Sequence, residues 1–210
     1  MPLPEVHLLT CAARISTCAQ TLARWARTDW PGSPHVYVGA GTDEAWGRFT
    51  RTDRRRDAFA AMVRSALVKP GEEQQWLLFL DDDLDFHPHL ASHLEAWEPL
   101  RDRRSGMASV FNPSVRAATN LKPLRNSFAA EPQSFVAEQA LLLRRCAAKQ
   151  AVAHWNERPS LTSQRLNCVL QKWQPFWVHK PSLVQKVGPD SEKADQRPHA
   201  PDFDPDWVPL

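Results

Sequence analysis

The stretch Trp76-Leu77-Leu78-Phe79-Leu80-Asp81-Asp82-Asp83-Leu84-Asp85-Phe86 constrains this chain more than any other, because an apolar run stops abruptly in a cluster of carboxylates. Five large apolar residues in a row read as a central strand buried on both faces. The acids then emerge together at its carboxyl end, where open α/β sheets place their ligands. Alternate residues of an extended segment point the same way, so Asp81 and Asp83 are expected to share one ion while Asp82 faces elsewhere. Three adjacent like charges at a buried strand's end repel one another unless a cation compensates them. Hard oxygen donors suit Mg²⁺ or Mn²⁺, above all when a diphosphate supplies the remaining ligands.

Patterns on either side build an α/β chain. Val6 to Thr10 reads as a strand, about Ser16 to Ala26 as a helix, and His35 to Val38 as a second strand ending in Gly39-Ala40-Gly41. Phe59, Met62, Val63, Ala66 and Leu67 recur at helical spacing, predicting a helix over about 56–68 that Pro70-Gly71 ends. Pro88 suits the first turn of a helix carrying Leu90, Leu94 and Trp97 on one face. Further on, Met107 to Phe111 reads as a strand, Glu138 to Gln150 and Leu161 to Gln171 as helices, and Phe176 to Val178 and Leu183 to Val187 as short strands. From Gly188 onward Pro, Asp and charged residues dominate, and the apolar periodicity disappears.

At 210 residues the chain can bury a substantial core as one domain. Its 26 basic and 24 acidic residues leave a formal charge of +2, which provides no global field for nucleic acid or membrane. The basic run from Arg51 to Arg56 reads as a solvated helix start, with phosphate binding as the sharper alternative. Cys11, Cys18, Cys146 and Cys168 form no CxxC pair and no zinc spacing, so reduced, mostly buried thiols are expected. With neither a leader pattern nor a long apolar run, the expected location is the cytoplasm, with room for peripheral membrane contact. Trp76, Trp97, Trp173 and Trp177 fit the core, whereas Trp46, Trp155 and Trp207 lie in polar stretches and are candidates for stacking on sugar rings.

Four segments carry a resemblance. Val6 to Arg14 resembles the first strand and nucleotide-binding turn of a nucleotide-sugar-dependent glycosyltransferase of the GT-A type, in the inverting bacterial and GlcNAc-transferase-like branch. Leu80 to Phe86 resembles its DxD or EDD metal motif, Pro181-Ser182-Leu183-Val184-Gln185-Lys186-Val187-Gly188 its PSLVQHVG segment, and His199 to Trp207 its H-x-A-x-D-F-D ending. The resemblance implies a single Rossmann-like α/β/α domain with a mixed, mostly parallel sheet over residues 1–188, and an irregular tail, 189–210, that closes over the active site. It implies Asp83 as principal metal ligand, Asp81 as a second or water-mediated one and His199 as the distal one. Thr10 and Arg14 would lie against the base or diphosphate, with Arg56, Asp57 and Asp82 completing the donor-binding set. The donor would be a nucleoside-diphosphate sugar, a UDP-sugar by preference, and the acceptor a glycan or other glycoconjugate.

Inverting transfer also needs a carboxylate to take the acceptor's proton. Where the family shows an ED or QD pair, this chain reads Leu161-Thr162-Ser163-Gln164-Arg165-Leu166, which leaves Glu157 as the candidate base. Lys186 is a second departure, at a position where the family often has histidine. Two alternatives accompany this reading. One is a GT-A domain that binds nucleotide or glycan without turnover. The other is a HAD-like phosphohydrolase in which Asp81 is the nucleophile.

Overall fold

Trp76–Asp81 forms a strand, β3, buried along its whole length, and the rest of the fold is arranged around it. The computed structural model describes residues 2–39, 51–112, 127–130, 139–155, 176–187 and 200–208, with 51–57 and 128–130 described by backbone, the side chain of Ser127 apart. The strands are β1 (Glu5–Cys11), β2 (His35–Gly39), β3, β4 (Leu84–Phe86), β5 (Met107–Ser109), β6 (Ser127–Ala130), β7 (Ala140–Arg144), β8 (Phe176–His179) and β9 (Val184–Lys186). The helices are α1 (Ile15–Trp25), α2 (Arg51–Val68), α3 (Leu90–Ala96) and α4 (Arg145–Ala153). Seven strands make one mixed sheet in the order β2-β1-β3-β7-β5-β8-β6, and β4 and β9 form a separate antiparallel pair. β1 runs parallel to both β2 and β3, whereas β7 runs antiparallel to β3 and β5.

Strand alternation divides the core into two layers, one on each face of the sheet. Leu77 and Phe79 of β3, Leu9 of β1 and Leu141 and Leu143 of β7 meet Phe59, Met62 and Val63 of α2 and Ala147 and Ala151 of α4. Trp76, Leu78 and Leu80, with Val6, Leu8, Ala140 and Leu142, meet Cys18 and Trp25 of α1 and Leu90 and Leu94 of α3. The described residues are therefore one α/β domain of three layers, as expected. Each fully buried Leu or Phe contributes about 1.5–3 kcal/mol. In α1 the buried positions Cys18, Thr21 and Trp25 recur at helical spacing. The Trp25 indole N–H donates to the Gly32 carbonyl at 2.7 Å, in a turn that Gly32 enters at φ +134°.

Three expectations are corrected. The Glu138–Gln150 helix is instead a strand up to Arg144 and a helix from Arg145, because Leu141, Leu142 and Leu143 are all buried between β3 and β5. Tertiary pairing there overrides the helix preference of leucine. Trp155 stacks on Phe59 in the first core layer, 3% exposed, and is closed to any sugar ring. Asp82 does not face away from Asp83, as the site geometry shows. The Leu161–Gln171 helix, Trp46, Trp173 and Cys168 lie outside the described residues.

Arg144 and Arg145 anchor the amino-terminal rim of β3. The Arg145 guanidinium donates to the Lys69 carbonyl at 2.7 Å and lies 3.6 Å from Glu5. A methyl group on Gly71 would meet the Gln75 side chain and would lie 2.7 Å from Arg145 Nε. Gly71→Ala should therefore cost about 1–3 kcal/mol through overpacking, read as a shifted urea midpoint at unchanged slope. An unshifted midpoint would mean that the rim gives way easily.

Residues 200–208 form a strap along the second core layer, and Ala200, Phe203 and Trp207 pack into it. Asp202 accepts from the backbone N–H and hydroxyl of Ser182, at 3.2 and 2.6 Å, and Gln185 pairs with both the N–H and the carbonyl of Ala200. Thus the PSLVQ segment holds the strap. Trp207 also closes a histidine cluster: its ring lies 4.8 Å from that of His93 and 5.7 Å from that of His179, and His87 Nε2 donates to its carbonyl at 3.0 Å.

Burial lowers His93 from 6.5 to about 4, helped by His87 and His89, and lowers His179 to about 3. Only the unfolded chain takes up these protons between pH 6.5 and those values. The stability these two histidines contribute is therefore full above pH 6.5 and falls as the pH drops below it, by up to about 1.4 kcal/mol per pH unit for each, offset in part by Asp82, which is raised to about 6. Thermal melts from pH 7 to pH 4.5 should show this slope, and His93→Gln should flatten it. Parallel slopes in the two proteins would sink the assignment.

Candidate functional site

The parallel pairing of β1 with β3 brings Leu9 opposite Asp81, so Thr10 and Arg14 lie beside the acidic cluster. Regular strand geometry stops at Asp81, and Asp82 and Asp83 sit in a bend before β4. That bend breaks the alternation on which the expected facing of Asp82 rested. Its backbone is tied on several sides. Asp81 N–H donates to the Gln139 carbonyl, the Thr21 hydroxyl donates to the Asp82 carbonyl at 2.7 Å, and Val187 N–H donates to the Asp83 carbonyl at 2.8 Å.

The side chains form a compact ionic group. Arg14 Nη2 lies 2.7 Å from Asp82 Oδ1 and 3.0 Å from Asp83 Oδ2, so one guanidinium nitrogen bridges two carboxylates. The Thr10 hydroxyl donates to Asp82 Oδ2 at 2.6 Å. Lys186 Nζ reaches to 3.4 Å from Asp83 Oδ2. All three aspartates are buried. Burial raises Asp82 to about 6 against the pull of Arg14 and Thr10, and Asp81 and Asp83 push it the same way as burial. Burial also disfavours the charged form of Arg14, but Asp82 and Asp83 hold its guanidinium above the usual value. The thiols of Cys11 and Cys18 are raised by burial and by Asp82, which keeps them protonated beside the acids.

Two features bear on whether a metal ion fits. Among the described residues, Asp83 Oδ1 is buried with no hydrogen-bond partner. Asp81 adds a third carboxylate beside the Asp82–Asp83 pair that Arg14 and Lys186 contact. However, no group of three His, Cys, Asp or Glu side chains among the described residues could hold a metal ion unaided. The residues fit an ion whose coordination is completed by another molecule, and do not make a closed protein site.

Of the residues singled out from sequence, Thr10, Arg14, Asp82 and Asp83 are in direct contact, and Asp81 adjoins them at the end of β3. Arg56 and Asp57 lie on α2, with side chains outside the description. Glu157 and His199 lie outside the described residues, as does Ser163. Sequence reasoning missed Thr21 and gave Lys186 no role. Each joins the site through long-range pairing that no local pattern signals.

No family model matches the chain, and neither does any curated protein. Solved structures do. Staphylococcus aureus TarS, residues 1–349, in complex with UDP-GlcNAc, aligns over 90% of this chain and 60% of its own, at TM-score 0.52 and 12% identity. The apo-form glycosyltransferase GlyE of Streptococcus pneumoniae TIGR4 aligns over 83% of this chain and 45% of its own (TM-score 0.45, 12% identity). The bifunctional glycosyltransferase WbbM aligns over 82% and 38% (TM-score 0.46, 10% identity). This chain spans less than two thirds of the length of each. The likeness to TarS establishes the fold: the mixed α/β sheet described above is one that TarS also has.

Proposed function

We propose that the chain is an inverting glycosyltransferase that takes its sugar from a nucleoside-diphosphate sugar, by preference a UDP-sugar, and delivers it to a glycan or other glycoconjugate. The observation that carries this reading is the buried acidic cluster at the joined carboxyl ends of β1 and β3, inside which Asp83 Oδ1 has no partner among the described residues. The complex of the similarly folded TarS with UDP-GlcNAc supports the donor class. A Mn²⁺ or Mg²⁺ ion would be held by Asp83 and Asp81, with His199 as a third candidate, and when bound would neutralise charge on the leaving diphosphate.

The chain's own residues divide the remaining work. Arg14 fixes Asp82 and Asp83 and presents positive charge at the mouth of the site, 31% of its side chain being exposed. Thr10, bonded to Asp82, sets the turn against which the nucleotide lies, and Arg56 and Asp57 complete that side from the start of α2. Glu157 is the candidate for taking the acceptor's proton. Residues 1–188 would form the catalytic domain and the tail 189–210 would close over the site; its described part, 200–208, is anchored through Ser182 and Gln185. The enzyme would work in the cytoplasm; no helix among the described residues is long and apolar enough to cross a membrane.

Thermal melts with UDP, GDP, CMP and dTDP, each with and without Mn²⁺, test the reading. A ligand that binds only the native state at about 100 times its Kd adds about 2.7 kcal/mol of stability. A Mn²⁺-dependent rise with UDP is expected, and no rise with any nucleotide would refute the proposal. The sequence departure at Ser163 favours one second reading, a binding domain without turnover, which absence of UDP-sugar hydrolysis despite tight UDP binding would select. Phosphoaspartate trapped at Asp81 would instead mark a phosphohydrolase.

A further inference from the structure

Lys186 stands apart from the other charged groups of the site. It is fixed on β9 opposite Leu84 of β4, and the adjacent Val187 N–H bonds to the Asp83 carbonyl at 2.8 Å, so its stem cannot drift away from the cluster. Its ammonium group nevertheless contacts Asp83 Oδ2 only at 3.4 Å, well beyond the roughly 2.8 Å of a good charge-assisted bond. Arg14 already serves the same oxygen at 3.0 Å. Lys186 is also 20% exposed, with a compact cationic head that carries three donors. A cation held close, loosely paired and partly open to solvent is poised for an incoming anion. Arg14, committed to two carboxylates, is a brace.

We propose that Lys186 is a phosphate-binding residue of this site and that its ammonium group contacts the diphosphate of the donor. The proposal rests on the nucleotide-sugar reading above and adds a residue to it. The two cations thus have different duties: Arg14 organises the acidic bend and Lys186 meets the ligand. Its charge also opposes any divalent ion at Asp83, so removing it should affect anion and metal in opposite directions.

The test uses the full chain with Lys186→Met and Lys186→Arg, and with Lys186→Gln as a second neutral variant. Titration calorimetry measures UDP and inorganic pyrophosphate in the presence of Mn²⁺, and electron paramagnetic resonance measures Mn²⁺ alone. Lys186→Met and Lys186→Gln should bind UDP and pyrophosphate at least about 10-fold more weakly, an effect of the size expected for one charge-assisted bond. Lys186→Arg should recover most of the loss. Mn²⁺ alone should bind the neutral variants no more weakly than it binds the parent. Unchanged UDP and pyrophosphate affinity in the neutral variants would overturn the proposal, as would a parallel loss of Mn²⁺, the mark of mere structural damage. If the parent binds neither UDP nor pyrophosphate, the nucleotide-sugar reading itself fails, an outcome distinct from binding that ignores Lys186.

Discussion

Replacing Asp83 with alanine should abolish Mn²⁺-dependent nucleotide binding and lower any transfer or donor-hydrolysis rate by about 100-fold or more, the scale of losing one preorganised electrostatic group. The reason lies in its two oxygens. Oδ2 is held by Arg14 and approached by Lys186, while Oδ1 is buried with no partner among the described residues, so the alanine removes both the anchor of Arg14 and the open oxygen. Asp83→Asn keeps the shape and loses the charge, and should fail in the same way. Titration of UDP with and without Mn²⁺ decides the matter: metal-dependent binding as tight as in the parent would mean that the ion sits elsewhere.

Arg144→Ala should be severely destabilising, at about 3–5 kcal/mol, because several carbonyls lose their donor at once and a void opens beside Trp76. The buried guanidinium donates to the carbonyls of Ser105, Gln74, Leu100 and Asp102 at 2.6–3.0 Å, and its carbon lies 4.5 Å from the centre of the Trp76 ring. Alanine would strand those carbonyls without water and leave a void against Trp76. Lysine retains charge but not the fork of donors, and should recover less than half of the loss. Urea denaturation measures both variants. A loss under about 1 kcal/mol for alanine would show that the network is replaceable.

How far the sequence revealed this molecule depended on whether the signal was local. β3 was legible because a run of five apolar residues has few other uses, and the start of the fold followed from the spacings around Val6, Ser16 and His35. β7 was not, because Leu141-Leu142-Leu143 suits a helix as well as a buried strand, and only the neighbours β3 and β5 decide between them. At the site, the acids and their nearness to Thr10 and Arg14 could be read. The facing of Asp82 could not, since it depends on a bend held by Thr21 and Val187. The PSLVQ segment and the tail were each noticed, but the bonds of Ser182 to Asp202 and of Gln185 to Ala200 appear only in three dimensions.

The two cations that meet Asp83 flank the acids in sequence, one before them and one after, which bears on how the molecule can be assembled during synthesis. Arg14 leaves the ribosome before the acids, whereas Lys186 follows them only after β4 to β8 have been made. A nascent chain that already contains β1 and β3 can brace the acidic bend with Arg14, but it lacks β9, which pairs with β4 and carries Lys186. Until β9 arrives, the carboxylates repel with less opposition. The strap, tied to β9 by Gln185, comes later still. The acidic bend is therefore fully braced only in a chain long enough to carry β9.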